Sequence, residues 1–362
     1  MAPPDSDSAR RPGLPFKLGL AAASFVFVFL VAEGVARVMW ELKMERLHEG
    51  EAGGRRSIPE ELAHLPEIRG LFAVARPNVR GRMGGVLFET NRFGFRGPDR
   101  RVEKPAGTFR VAVIGDSVTM GYGVRYEDTY PARIERALGG MRPGQRFEVI
   151  NIGLSGLATG EVVDRFEELA LRFDPDLIVY GYTLNDIEGE HYRDPYENLS
   201  KRELDAIYAS PLRVWRLVGP SWKNTVDLLF APPGSYQYTL DQNYFHNPKA
   251  WRDVELGFDR LAALAAQRGI CVALLLHTRL ESLNFLHPYH VYYDAVAKAA
   301  EERSFDVVRS FEHFRGIEAT SLWVTAFDPH PNPRGHELLA DALAEGLAAL
   351  AESCWEGPAS ED

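Results

Sequence analysis

The strongest constraint on the fold is an alternation that begins at Phe109. Short apolar runs of strand length, FRVAVI (109–114), FEVINI (147–152), DLIVY (176–180), ICVALLL (270–276) and FDVV (305–308), are separated by stretches of helical period. Continuous apolar runs this short belong to strands buried on both faces. Strands alternating with helices make a parallel sheet covered on two sides, so the expected fold class is α/β, a three-layer α/β/α sandwich. Val162, Phe166, Leu169, Ala170 and Phe173 fall on one helical stripe, and Trp251, Val254, Phe258, Leu261 and Ala265 on another. Gly269 closes the second just before a strand. The last helix opens at Asn332-Pro333, an N-cap followed by proline at the first helical position, and buries Leu338, Leu339, Ala342, Leu343 and Leu347.

The other end of the chain follows a different rule. From Leu18 to Ala32 there is no charge, and allowing Glu33 the apolar run reaches Ala36, about 28 Å of helix and close to the thickness of a bilayer core. Arg10, Arg11 and Lys17 precede it, while Arg37, Lys43 and Arg46 follow, so the basic flanks do not decide orientation. The expectation is an uncleaved single-pass anchor with the rest of the chain extracytoplasmic, periplasmic or extracellular. The rivals are a signal peptide cleaved after Ala36 and a buried soluble helix. Against cleavage, the helical pattern runs on through VARVMWELKMERL without a clean Ala-x-Ala.

The expected organisation is a disordered cytoplasmic tail (1–13), an anchor helix (14–40), a stalk and lead-in (41–107), a catalytic-type domain (108–351) and a C-terminal tail (352–362). Within the domain, residues 187–249 interrupt the alternation with tyrosine, tryptophan and proline. Such an insertion is a lid or binding loop, or else a small packed subdomain. Lys+Arg at 41 against Asp+Glu at 51 gives a net charge of −10, with no basic face, which argues against nucleic acid as a partner. The two cysteines, Cys271 and Cys354, cannot build a disulfide scaffold or a four-cysteine zinc site; Cys271, in an apolar run, reads as core, and whether the two pair stays open.

Open α/β sheets bind ligands at the carboxyl ends of their strands. There the sequence places Gly115-Asp116-Ser117, Asn151-Ile152-Gly153, Thr183-Leu184-Asn185-Asp186 and, ahead of the last helix, Asp328-Pro329-His330. A hydroxyl, a backbone N–H bare of side chain, an amide, and an imidazole with a carboxylate are the parts acyl transfer needs. The α/β-hydrolase elbow Gly-x-Ser-x-Gly fails, because Thr119 occupies its second glycine. His277 lines the same sheet edge or is a satisfied strand-end histidine, and His287, His290 and His336 show no zinc-binding spacing.

The four strand-end blocks, in this order, resemble the SGNH/GDSL hydrolase family across about Phe109 to Leu350. The resemblance implies a flavodoxin-like five-stranded parallel sheet, no metal and no organic cofactor. It implies Ser117 as nucleophile, His330 as general base and an oxyanion hole of Ser117, Gly153 and Asn185. This sequence departs from the family pattern twice. Phe327 stands where Asp-x-x-His would put the acid, so Asp328 becomes the triad acid at Asp-x-His spacing, or else the pair is a Ser-His dyad. Thr183 replaces the glycine of Gly-x-Asn-Asp, narrowing the acyl pocket or facing the core; Asp186 reads as structural.

The function expected is a membrane-anchored serine esterase acting on an ester or O-acylated carbohydrate or lipid. The alternatives are an O-acyltransferase acting on an envelope or exported polysaccharide, with Tyr192, Tyr196, Trp215, Trp222, Tyr236 and Tyr238 stacking on sugar, and a non-catalytic binding module of the same fold. The oligomeric state is not legible.

Overall fold

The computed structural model describes residues 14–54, 62–68, 75–189, 206–233, 235–325 and 328–356. The expected tail at 1–13 lies outside them, as do Tyr192 and Tyr196.

The sheet is a flavodoxin-like five-stranded parallel sheet with helices on both faces. Its strands are β3 (Thr108–Gly115), β4 (Arg146–Asn151), β5 (Leu177–Tyr182), β6 (Cys271–Leu276) and β7 (Asp306–Arg309), in the order β4-β3-β5-β6-β7. All five fall where the apolar runs predict. Alternate side chains feed two cores. Ala112, Ile114, Ile178, Tyr180 and Leu274 face Val162, Phe166, Phe258 and Leu261, while Val111, Val113, Val179 and Leu275 face Ile134, Leu138, Leu339 and Leu343. Every strand residue from Thr108 to Gly115 is buried, which is why the run carries no polar alternation. The chain leaves β3 for β4 on one side and returns to β5 on the other, so β3 stands at the switch point where the crevice opens.

Before the sheet, β1 (Arg80–Met83) and β2 (Val86–Glu89) form a hairpin through Gly84-Gly85, both at positive φ as a tight two-residue turn requires. Its Phe88, with Phe95 beyond it, joins the core of the main domain. The N-terminal helix α1 spans Leu14–Gly54 and so runs past residue 40, the expected end of the anchor. Its Lys17–Leu42 portion is long and apolar enough to cross a bilayer.

The C-terminal segment differs from the expected tail. Glu352–Trp355 is a 3₁₀ turn, its Trp355 is buried against Phe109 and Phe147, and Cys354 is disulfide-bonded to Cys271. Cys271 is thus a half-buried cystine, not a core thiol. A large ring and a covalent bond outweigh the polar composition that suggested a free end.

Within the insertion, α2 (Arg213–Phe230) packs on α1. The following segment, Tyr236–Asp241 and Gln242–His246, packs into the domain, where the Tyr244 hydroxyl donates to Leu184 O at 3.1 Å and meets the Tyr182 hydroxyl at 2.9 Å.

Candidate active site

Ser117 follows β3 directly, at the first position of a four-residue helix, Ser117–Met120, whose N-cap is Asp116. Asp116 is the hub of the strand ends. Its Oδ1 accepts the Val118 N–H at 3.0 Å and the Thr183 hydroxyl at 3.0 Å, and its Oδ2 accepts the Asn185 amide N–H at 3.2 Å and lies 3.2 Å from Ser117 Oγ. One carboxylate thereby ties β3 to the loop after β5. The other end of the short helix is held from the lead-in: Arg96, buried, donates to Met120 O at 3.2 Å and to Gly121 O and Val124 O. Burial pushes the Arg96 guanidinium down to about 10, and those carbonyls satisfy it.

His330 and Asp328 sit on β9 (Asp328–Pro331), paired antiparallel with β8 (Trp323–Thr325). On an extended strand residues two apart face the same side. Asp-x-His spacing therefore works: His330 Nδ1 lies 2.6 Å from Asp328 Oδ1, which also accepts the His330 N–H at 3.1 Å. At the far edge of the ring, His330 Nε2 is 2.9 Å from Ser117 Oγ. Tyr122 lies against the imidazole, ring centroids 4.6 Å apart. Burial alone would raise the Asp328 carboxyl, but the hydrogen bonds and charge of His330 hold it below the usual carboxylate value. A carboxylate, an imidazole and a hydroxyl in this order can pass a proton from oxygen to nitrogen while the developing imidazolium stays paired.

Ser117 and His330 open on a cavity of about 400 Å³, lined also by Gly156, Thr183, Asn185, Glu188, Tyr236, His277 and Arg279. Gly153 stands apart from the expectation. Its N–H donates to Asn151 Oδ1 at 3.0 Å, it is not among the residues lining the cavity, and a Cβ there would come within 2.5 Å of Met120 N. It is glycine because the serine helix passes over it. Gly156, three residues on and at φ +77, is the glycine on the cavity wall.

Thr183 neither simply narrows the pocket nor turns to the core: its hydroxyl bonds Asp116 and lies 3.1 Å from His277 Nδ1. His277 both lines the cavity and is buried, and burial pushes it down to about 4. Asp186 accepts from the Tyr180 hydroxyl at 3.0 Å, and burial raises it well above the usual carboxylate range. His336 is fully buried and accepts the Tyr130 N–H at 3.3 Å. Of the insertion aromatics proposed for sugar stacking, Tyr236 lines the cavity, whereas Trp215 and Trp222 are exposed on α2.

The sequence matches the GDSL-like Lipase/Acylhydrolase family over residues 113–338, more than half of the chain. The chain belongs to that family. An arylesterase of Vibrio mimicus is 33% identical over 93 residues, 25% of this chain and 46% of the relative, so the chain spans about half the length of the curated relative it matches. Among solved structures, an α/β hydrolase from the metagenome of Lake Arreo, Spain, is similar at 19% identity over 67% of this chain and 96% of that one, TM-score 0.43. A two-domain esterase active on acetylated mannans is similar at 18% identity over 70% and 52%, TM-score 0.39. An acetylxylan esterase from Geobacillus stearothermophilus gives 17% over 67% and 95%, TM-score 0.40.

For this GDSL-family chain the sequence reading overlooked Arg96, the bridging role of Asp116, and Gly156. The Asp-Ser adjacency held a signal for Asp116, an N-cap carboxylate; Arg96 left none, since its partners lie 24 to 28 residues away.

Proposed function

We propose that this chain is an extracytoplasmic serine esterase that hydrolyses an O-acyl ester of a carbohydrate or lipid through a Ser117-His330-Asp328 acyl-enzyme mechanism. The observation that carries the reading is the unbroken relay from Ser117 Oγ through the imidazole to Asp328, at 2.9 and 2.6 Å. His330 Nε2 takes the Ser117 proton as Oγ attacks the carbonyl carbon, and Asp328 holds Nδ1–H so that the imidazolium is paired. The tetrahedral oxyanion is received by the Ser117 N–H and the second N–H of the Asn185 amide, both on the cavity wall. When the C–O bond breaks, His330 returns the proton to the leaving alcohol oxygen. Water then repeats the sequence on the acyl-enzyme and releases the acid. The apolar helix Lys17–Leu42 and the Cys271–Cys354 disulfide support single-pass membrane attachment with the domain in an oxidising compartment.

The test is labelling of the full chain with a fluorophosphonate, followed by peptide mapping. Label on Ser117 that is lost in His330→Ala is the expected result. Folded protein that takes no label, or takes it on another serine, overturns the assignment.

A further inference from the structure

We propose that helix α2 of the insertion is a membrane-surface helix, docked on the anchor and seated with Trp215, Val218, Trp222 and Phe230 at the boundary between lipid headgroups and acyl chains. This rests on the reading of α1 as a membrane anchor. Along its apolar stretch α1 leaves its side chains exposed, among them Phe25, Phe27, Val28 and Leu30. The exceptions are Glu33 and Ala36, buried, and Trp40, half-buried, which lie at i, i+3 and i+7 on one stripe. That stripe is where α2 packs. The two Glu33 carboxylate oxygens accept the N–H groups of Arg213 and Val214, each at 3.0 Å, capping a helix whose own N-cap, Leu212, makes no side-chain bond. The Trp40 ring lies beneath the guanidinium groups of Arg213 and Arg216, 6.0 and 5.5 Å from its centroid.

An ionisable residue in an apolar helix costs free energy unless it is partnered. Here the partner is the start of α2, and Glu33 is the residue that ends the uncharged run begun at Leu18. The anchor thus sets α2 at the level where acyl chains give way to headgroups. The face α2 turns outward suits that level. Trp215, Val218 and Trp222 fall at i, i+3 and i+7, exposed by 40, 51 and 62%, with Phe230 exposed at the end. Tryptophan is the residue that membrane interfaces favour. Six residues after Phe230 comes Tyr236, on the cavity wall. The helix therefore couples the catalytic cavity to the bilayer surface.

The test uses the full chain in vesicles of phosphatidylethanolamine and phosphatidylglycerol. Single nitroxide labels are placed through Val28→Cys, Val218→Cys, Trp222→Cys and, as an aqueous reference on an exposed helix face, Leu256→Cys. Collision with oxygen is compared with collision with a water-soluble nickel complex. The expected oxygen-to-nickel ratio is several-fold higher at 28, 218 and 222 than at 256. Ratios at 218 and 222 equal to that at 256, with 28 in lipid, overturn the proposal and leave the anchor standing. A ratio at 28 equal to that at 256 removes the anchor, and the proposal with it. Labels at 218 and 222 shielded from both reagents overturn it in favour of a protein surface.

Discussion

The two halves of the proposed catalytic relay are built differently. Ser117 is buried at the switch point of the sheet, with Asp116 bonding it from the side and Arg96 holding the far end of its helix. His330 and Asp328, with side chains about 30% exposed, stand on a two-stranded ribbon of three- and four-residue strands outside the main sheet. The nucleophile is fixed by the same bonds that hold the domain together. The base is fixed by its own short pair of contacts, with the Tyr122 ring against it and the Asn332 N-cap anchoring the ribbon to the last helix. Damage to the supports of the first half, Asp116 and Arg96, should therefore cost folding as well as rate, and damage to the second should cost mainly rate.

The largest effect expected is on turnover in Ser117→Ala, which should fall by about 10³-fold or more with the urea midpoint unchanged. Retained esterase activity would dissolve the comparison at its root. Next comes Asp328→Asn, for which steady-state kinetics should give a loss of about 10²–10⁴-fold in kcat with the fold retained. A loss under tenfold would mean that the ribbon positions His330 without its acid. Arg96→Met tests the buried half. It leaves the carbonyls of Met120, Gly121 and Val124 without their donor, and equilibrium unfolding should show about 2–4 kcal/mol of destabilisation together with reduced kcat. Full stability with normal rate would show that the lead-in is dispensable to the serine helix.

The smallest effect is a pH slope. Burial pushes His277 and His287 down to about 4 from an ordinary value near 6.5. Below pH 6.5 the unfolded chain therefore takes up protons that the folded chain refuses, and stability should fall steadily from pH 6.5 towards 4. Asp328 has the opposite displacement: its lowered value contributes stability above the ordinary carboxylate range, lost only as pH drops below it. His277→Asn should flatten part of the slope in urea titrations across that range. An unchanged slope would locate the acid sensitivity elsewhere.

The sequence made β3, β5 and β6 legible because each is buried on both faces and so reads as a largely apolar run. It made Ser117, Asn185 and His330 legible because strand ends are where such sheets place polar groups. It did not separate Gly153 from Gly156, since both lie in one loop; the fold puts Gly153 beneath the serine helix and Gly156 on the cavity wall. Asp328 stands one residue closer to His330 than the family pattern implies, and because the chain is extended there a separation of two puts both side chains on one face. Arg96 and the cystine were hidden for a common reason: their partners are set by how distant segments fold together, at separations up to 28 and at 83 residues.

The disulfide has a topological consequence. Its bond closes a covalent ring from Cys271 to Cys354, and Asp328 and His330 both lie inside that ring while Ser117 lies outside it. A protease cut anywhere within the ring leaves the base tethered to the rest of the molecule through the other arm. A reductant removes that second arm and leaves the base held by chain alone. With the bond reduced, a single cut between Cys271 and Asp328 parts the base covalently from the serine.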